Sequence, residues 1–273
     1  MKQIAILGST SHIAQNLIYF FSQLHPDVTL TCFARKKGRG QPYFSFPQHD
    51  FDAVINCIGL GDPKKIKDAG ASFFRTTEFF DNMVLDYLET HPSTVYIHFS
   101  SGAVHAHFQA SHINASDYYG IAKLNAEAKH RALSHFSIVD LRVFSFFSRF
   151  IDLKAGFLMS ELFLSLKTRT PFVTSTQDIK RDFIHPKDLF QLVWACILTP
   201  SNCAYDVVSL APISKHDLLE ALKKKYGLHV ILQESSVPVG PRQDYYSTVQ
   251  DSFVLHKPQY TSLEAIEFGL SDD

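Results

Sequence analysis

Neither sign of charge is in excess in this chain: 26 basic side chains stand against 27 acidic ones, a formal net charge of −1. Without a global positive field, nucleic acid and anionic membranes are excluded as bulk electrostatic partners, so recognition has to be local. Long apolar runs are missing as well, and no stretch approaches the ~18 residues needed to span a bilayer. The start, Met1-Lys2-Gln3-Ile4, enters a strand pattern without the layout of a signal peptide, so the expected location is cytoplasmic. Cysteine is scarce: Cys32, Cys57, Cys196 and Cys203 are scattered with no Cys-x-x-Cys pair, which predicts buried, reduced thiols.

What is present is ample material for a core, with 45% of 273 residues hydrophobic. Apolar runs of strand length at 3–7, 28–34, 53–58, 94–100 and 138–144 alternate with helical periodicity near 12–24, 73–90 and 117–135. That alternation predicts an α/β fold, a Rossmann-like doubly wound parallel sheet of βαβ units. Beyond residue 148 the pattern changes to helices near 157–168, 186–198 and 214–226, a short Arg181–Ile184 strand and a strand near 204–208. Residues 1–148 are expected to form mainly the Rossmann domain. Residues 149–273 should supply interleaved additions and a small C-terminal substrate lobe, with 232–262 as loop and short helix.

The first strand runs into Gly8-Ser9-Thr10-Ser11-His12-Ile13-Ala14 and then a helix, the place where a dinucleotide pyrophosphate meets backbone N–H groups. Gly8 permits the tight turn, while Ser11 and Ala14 stand where Gly is usual. After the second strand comes Arg35-Lys36-Lys37-Gly38-Arg39, where NAD-selective folds commonly present an acid. Arg35 with Lys36 suits the 2′-phosphate of NADP, so NADP is favoured over NAD; a solvated basic turn is the alternative. The cluster is short and lacks interleaved aromatics, which argues against nucleic acid.

Tyr119 and Lys123 are four residues apart and share one face of a helix. A nearby ammonium favours phenolate and is expected to bring the Tyr pKa down towards working pH, fitting Tyr119 for general acid or base duty. Ser101 ends the preceding strand and can hydrogen-bond the same substrate oxygen. His98, His105, His107 and His112 surround Ser101 in sequence, but without an accompanying carboxylate or cysteine set they read as packed or solvent-facing, and no metal is expected.

With these parts in place the chain resembles the extended short-chain dehydrogenase/reductases of the NAD-dependent epimerase/dehydratase type. The likeness also rests on Asn56-Cys-Ile-Gly59, Phe99-Ser-Ser-Gly-Ala-Val104, Leu141-Arg-Val-Phe144, Lys257-Pro-Gln-Tyr-Thr-Ser-Leu263 and, most specifically, Arg181-Asp-Phe-Ile-His-Pro-Lys-Asp-Leu189. It implies that Ser101, Tyr119 and Lys123 are the catalytic set, with Lys123 also touching the nicotinamide ribose. It further implies that Cys57, Ile58, Gly59 and Ser100 line the cofactor. Dehydratases carry an Asp-Glu pair after the catalytic Ser/Thr where this chain has Gly102-Ala103, so dehydration is disfavoured. Ser145 replaces the usual Asn, and Phe147-Ser148-Arg149 replaces Tyr-Gly-Pro, so the substrate loop should have its own shape.

Arg181 and Arg242 occupy family positions that often hold a sugar-nucleotide diphosphate, for which Arg is suited. Arg181 has a structural alternative, pairing with Asp182 or Asp188. His105, just beyond Ser101, and Ser145 are further substrate contacts. The resemblance implies an NADP-dependent oxidoreductase reducing a nucleotide-activated keto-sugar, or else an epimerase with retained NAD; an inactive nucleotide-binding sensor or scaffold is the third reading. A homodimer through the helices near 73–90 and 117–135 is expected.

Overall fold

Five of the apolar runs lie side by side: β1 (Gln3–Leu7), β2 (Thr29–Phe33), β3 (Ala53–Asn56), β4 (Val95–Ser101) and β5 (Ile138–Val143). The structure is a computed structural model and describes residues 1–35, 38–60, 63–108, 117–234, 244–249 and 255–271. A sixth strand, Cys203–Val207, adds to β5, giving the all-parallel order Cys203–Val207, β5, β4, β3, β1, β2. Because β1 sits between β2 and β3, the chain reverses its direction of winding there. Ligands of such sheets bind in the crevice beyond the strand ends at that point.

Among the described residues the first half of the chain forms α1 (His12–Leu24), α2 (Pro63–Ala69), α3 (Ser72–Thr90), α4 (His105–Phe108) and α5 (Tyr118–Ala132). On one face of the sheet Ile4, Ile6 and Ile97 pack under Leu17 and Phe21 of α1 and Phe190 and Val193 of the Pro186–Leu198 helix. On the other, Val54, Tyr96 and Ile138 pack under Val84, Tyr87 and Leu88 of α3. Strands covered on both faces read as near-continuous apolar runs, which is why they were legible.

A third apolar cluster, including Phe147, Leu162, Phe163, Phe183, Leu219, Leu222 and Ile266, is built from later residues, those for which a lobe is expected. The 203–207 strand returns to the main sheet, beside β5. The single Arg181–Ile184 strand is instead two: Lys180–Arg181 pairs with Ile213–Ser214, and Phe183–Ile184 pairs with Ser145–Phe146. Asp182 divides them by turning inward, where Oδ1 accepts from the Ser209 N–H at 2.9 Å. The chain after 232 is more ordered than expected at its edges. Val230–Gln233 pairs with Phe172–Ser175, and a helix at Ser262–Leu270 opens with a Thr261/Glu264 capping box.

All four cysteines are free; Cys196 is buried, but Cys32, Cys57 and Cys203 are only half-buried, a correction to the expected set. Among the described residues no helix is long and apolar enough to cross a membrane.

Candidate active site

The loop between β1 and α1 sits at the switch point of the sheet. Gly8 has φ +76°, and a Cβ there would stand 3.0 Å from the Cys57 carbonyl carbon and oxygen and the Ile58 side chain. Only glycine fits that left-handed approach to the chain following β3. Ser11 caps α1 by accepting from Ala14 N–H at 3.3 Å, so His12 and Ile13 begin the helix with N–H groups that lack an intrahelical carbonyl. The Gly8 and Ser9 N–H groups donate to Phe33 O at 3.0 and 3.1 Å and the Ser11 N–H donates to Gly8 O at 2.9 Å, so in this cradle it is the N–H groups opening α1, at His12 and Ile13, that face the place where an anion can bind.

The basic turn folds back on this cradle. Ser9 Oγ donates to the Arg39 carbonyl at 3.1 Å, and Gln41 N–H donates to Cys32 O at 2.8 Å. Arg35 is exposed beside it, and Tyr43, unmarked in the sequence, brings its hydroxyl to the Gly8 backbone with Arg35 nearby. Thr10 is exposed on the loop, and Cys57, Ile58 and Gly59 line the facing segment. Lys36, His112 and Arg242 lie outside the described residues.

Two of the expected cofactor contacts point elsewhere. The His12 ring is a structural pin: Ser148 N–H donates to its Nε2 at 3.1 Å, and Ser148 Oγ lies 2.8 Å away. Burial lowers its pKa to about 4, so the ring stays neutral and leaves only its backbone N–H to the cradle. Ser100 Oγ donates to Glu127 Oε1, which Arg142 also holds. Successive residues of a strand face opposite sides, so Ser100 points away while its neighbour Ser101 faces the site.

Ser101 Oγ is 2.7 Å from the Tyr245 hydroxyl, and Tyr119 lies close enough that Ser101 opposes the rise of its phenol pKa. Lys123 lies one helical turn after Tyr119 on α5 and donates to Phe99 O at 2.6 Å. The fold thus sets Tyr119 beside Ser101, with Lys123 one helical turn further on and its ammonium directed at Phe99 O. The expected lowering of the phenol pKa is not what the structure gives. Burial is the largest influence on Tyr119 and raises its pKa, the Ser101 bond opposes this, and Asp117 adds to the rise. Lys123 itself is lowered to about 8, because burial outweighs the opposing charges of Asp81, Asp140 and Glu127.

Gly102 explains the missing dehydratase pair: a Cβ there would be 2.3 Å from Phe144 Cε1, so no carboxylate side chain fits. Phe144 packs between the His105 ring at 5.9 Å and the Tyr245 ring at 5.2 Å. His105 Nε2 lies 2.9 Å from both Asp206 oxygens, with Ser247 on the same carboxylate. Ser145 sits half-buried where the sheet meets the lobe.

Arg181 places its guanidinium 5.3 Å from the Tyr245 ring centre. The two carboxylates expected to compete for it close the lobe instead. Asp182 accepts from Ser209 N–H, and Asp188 accepts from Gln259 N–H at 3.0 Å and Tyr260 N–H at 3.2 Å. The expectation that no carboxylate accompanies the histidines is corrected too: Asp140 Oδ1 lies 2.7 Å from His98 Nδ1. Asp140 arrives from a neighbouring strand 42 residues on, which no local spacing could reveal.

A Rossmann sheet with a glycine cradle at its switch point and a convergent Ser, Tyr and Lys defines a nicotinamide-dependent enzyme of the extended short-chain dehydrogenase/reductase type. The model of the NAD dependent epimerase/dehydratase family matches residues 44–211, and the chain belongs to that family. No curated protein sequence matches it. Three solved structures share the fold. Helicobacter pylori ADP-L-glycero-D-manno-heptose-6-epimerase aligns with TM-score 0.79 at 15% identity, over 98% of this chain and 95% of that one. Bacillus cereus UDP-glucuronic acid 4-epimerase, in complex with UDP-glucuronic acid and NAD, aligns with TM-score 0.75 at 17% identity, over 98% of both chains. RMD from Pseudomonas aeruginosa, complexed with NADPH, aligns with TM-score 0.74 at 14% identity, over 99% of this chain and 98% of that one.

Proposed function

We propose that the protein is an NADP-dependent oxidoreductase that reduces the keto group of a nucleotide-activated sugar. The observation that carries this reading is the meeting of the Ser101 and Tyr119 hydroxyls beside a strand end, with the Lys123 ammonium one turn behind. Reduced nicotinamide supplies the hydride when bound. Ser101 then hydrogen-bonds the substrate carbonyl oxygen, and Tyr119 gives its phenolic proton to that oxygen as charge develops. A phenol whose pKa is raised by burial is held protonated, the state an acid needs.

Residues 1–148 hold the cofactor on this reading, with Arg35 at the 2′-phosphate, and the lobe from 149–273 holds the sugar nucleotide. Arg181 and Arg242 take the diphosphate, and Ser145 and His105 border the sugar. A homodimer forms through α3 and α5; the exposure of Phe79 on α3, 64%, supports that contact. The test is nucleotide titration followed by a panel of keto-sugar nucleotides, watching absorbance of the reduced nicotinamide. Consumption of NADPH with one of them is expected. Tight nucleotide binding with no turnover of any member would point to a sensor instead.

A further inference from the structure

We propose that the buried chain His98, Asp140, His130 and Asp81 is a positioning element for Lys123, presenting an oriented acceptor and two carboxylate charges that fix its ammonium. The proposal rests on Lys123 being the active-site ammonium described above. The four residues come from β4, β5, α5 and α3, and none is more than 2% exposed.

Hydrogen-bond chemistry assigns every proton in the chain. His98 Nδ1 is 2.7 Å from Asp140 Oδ1, and a carboxylate only accepts, so Nδ1 carries the hydrogen. Burial and the Lys123 charge both lower the His98 pKa, against the pull of Asp140, so the ring is neutral. Its Nε2 lone pair therefore faces Lys123 Nζ at 3.5 Å, while the same ammonium donates to Phe99 O. His130 has carboxylates on both ring nitrogens, Asp140 at 2.9 Å from Nδ1 and Asp81 at 2.9 Å from Nε2. Both nitrogens donate, which makes His130 an imidazolium. Burial opposes that charge, but the two carboxylates outweigh it and raise the pKa to about 9.

The carboxylates are clamped at their far sides. Arg131 donates to Asp140 at 2.8 Å, Lys129 lies 2.7 Å from Asp81, and the Tyr96 hydroxyl donates to Asp81 at 3.0 Å. The groups facing Lys123 are thus His98 on β4, Asp140 on β5, Asp81 on α3, Glu127 on α5 and Cys57 after β3. Glu127 is already engaged by Arg142, 2.6 Å away, so Asp81 and Asp140 are the charges directed at the cluster. The ligand atoms of His98, His130 and Asp140 lie within 4.8 Å of one another, a spacing a metal ion could use. An ion there would have to break these bonds and sit among Lys123, His130 and Arg131, all cationic.

Two amides separate positioning from mere core packing. In His98→Asn the side-chain nitrogen can replace Nδ1 and still bond Asp140, but nothing replaces Nε2. In His98→Gln the longer side chain places its amide oxygen near Nε2, facing Lys123. The Lys123 pKa is read by NMR from its Cε resonance in the full-length protein, assigned by its loss in Lys123→Met, beside kcat and KM.

We expect His98→Asn to lower the Lys123 pKa and reduce kcat about 10- to 100-fold with KM nearly unchanged, and His98→Gln to restore both. Asp140→Asn should lower the Lys123 pKa by about 1 to 3 units. If Asp140→Asn fails to fold, the His98 pair still decides. A Lys123 pKa and kcat unmoved in His98→Asn, or restored no better by Gln, would overturn the proposal. The NMR titration needs no substrate, so a wild-type protein without reductase activity would count against the proposed function and leave this test readable.

Discussion

The Tyr245 hydroxyl lies 2.7 Å from Ser101 Oγ, the hydroxyl that the proposed function gives to a substrate carbonyl. The contact is built in from several sides. Tyr245 N–H donates to Lys180 O at 2.9 Å, Asp244 accepts from Lys180 N–H at 2.8 Å, and Arg181 and Phe144 lie against the ring. Burial raises the Tyr245 pKa to about 12, against the Ser101 bond, so the group stays a neutral phenol. On the proposed function a substrate oxygen competes with it for Ser101 Oγ. Removing that hydroxyl in Tyr245→Phe should lower the substrate KM about 2- to 10-fold, the worth of one hydrogen bond, and leave nucleotide affinity unchanged. Steady-state kinetics decides, and a raised KM would show that the phenol helps to hold substrate.

Gly102 is locked by contact with Phe144. Gly102→Ala should cost about 1 to 3 kcal/mol in denaturant unfolding. Adding Phe144→Ala should relieve the collision, so the double variant loses less than the two single losses added together.

Stability should fall on the alkaline side of neutrality through His130. Its folded pKa of about 9 exceeds the ordinary 6.5, so its contribution is complete below pH 6.5 and lost as pH rises towards 9. Asp81 and Asp140 behave oppositely. Burial works to raise them, but their histidine bonds hold both below the carboxylate range, so their contribution is lost only in acid. Urea unfolding from pH 6.5 to about pH 8 should show the wild type losing on the order of 1 kcal/mol relative to His130→Gln. A constant difference between the two proteins over that window would contradict the network.

Much of the frame was readable from one dimension, and the reasons are local. β1 to β5 are buried on both faces, so their apolar runs stand out, and Tyr119 and Lys123 meet through helical spacing alone. The rest depends on tertiary meetings. Tyr245 reaches Ser101 from 144 residues away, and Asp140 reaches His98 from the next strand. His12 looked like a cradle residue because its backbone is one; its side chain turns to Ser148 for reasons only the packed lobe supplies. The Thr261-x-x-Glu264 capping box was a local signal that could have revealed the last helix.

Cofactor choice should turn on Arg35, which is exposed beside the Gly8 cradle. NADPH is expected to bind more tightly than NADH, and Arg35→Ala should erase about tenfold of that preference, since a charge-assisted contact is worth roughly 1.5 to 3 kcal/mol before solvent screening reduces it. Fluorescence titration of the reduced nucleotides measures both constants. Equal affinities in the wild type would show the basic turn to be merely solvated.

On the proposed function the Tyr119 phenol delivers the proton. Tyr118 is its internal control: it is adjacent in sequence, but its ring lies against Phe74 at 5.5 Å, whereas Tyr119 lies beside Ser101. The decisive measurement is the rate of NADPH oxidation with a turned-over keto-sugar nucleotide in Tyr119→Phe and Tyr118→Phe, with nucleotide affinity measured alongside. Tyr119→Phe should lose about 10² to 10⁴-fold in kcat with nucleotide affinity nearly intact, and Tyr118→Phe should turn over like the wild type. Normal turnover in Tyr119→Phe with a crippled Tyr118→Phe would contradict the account.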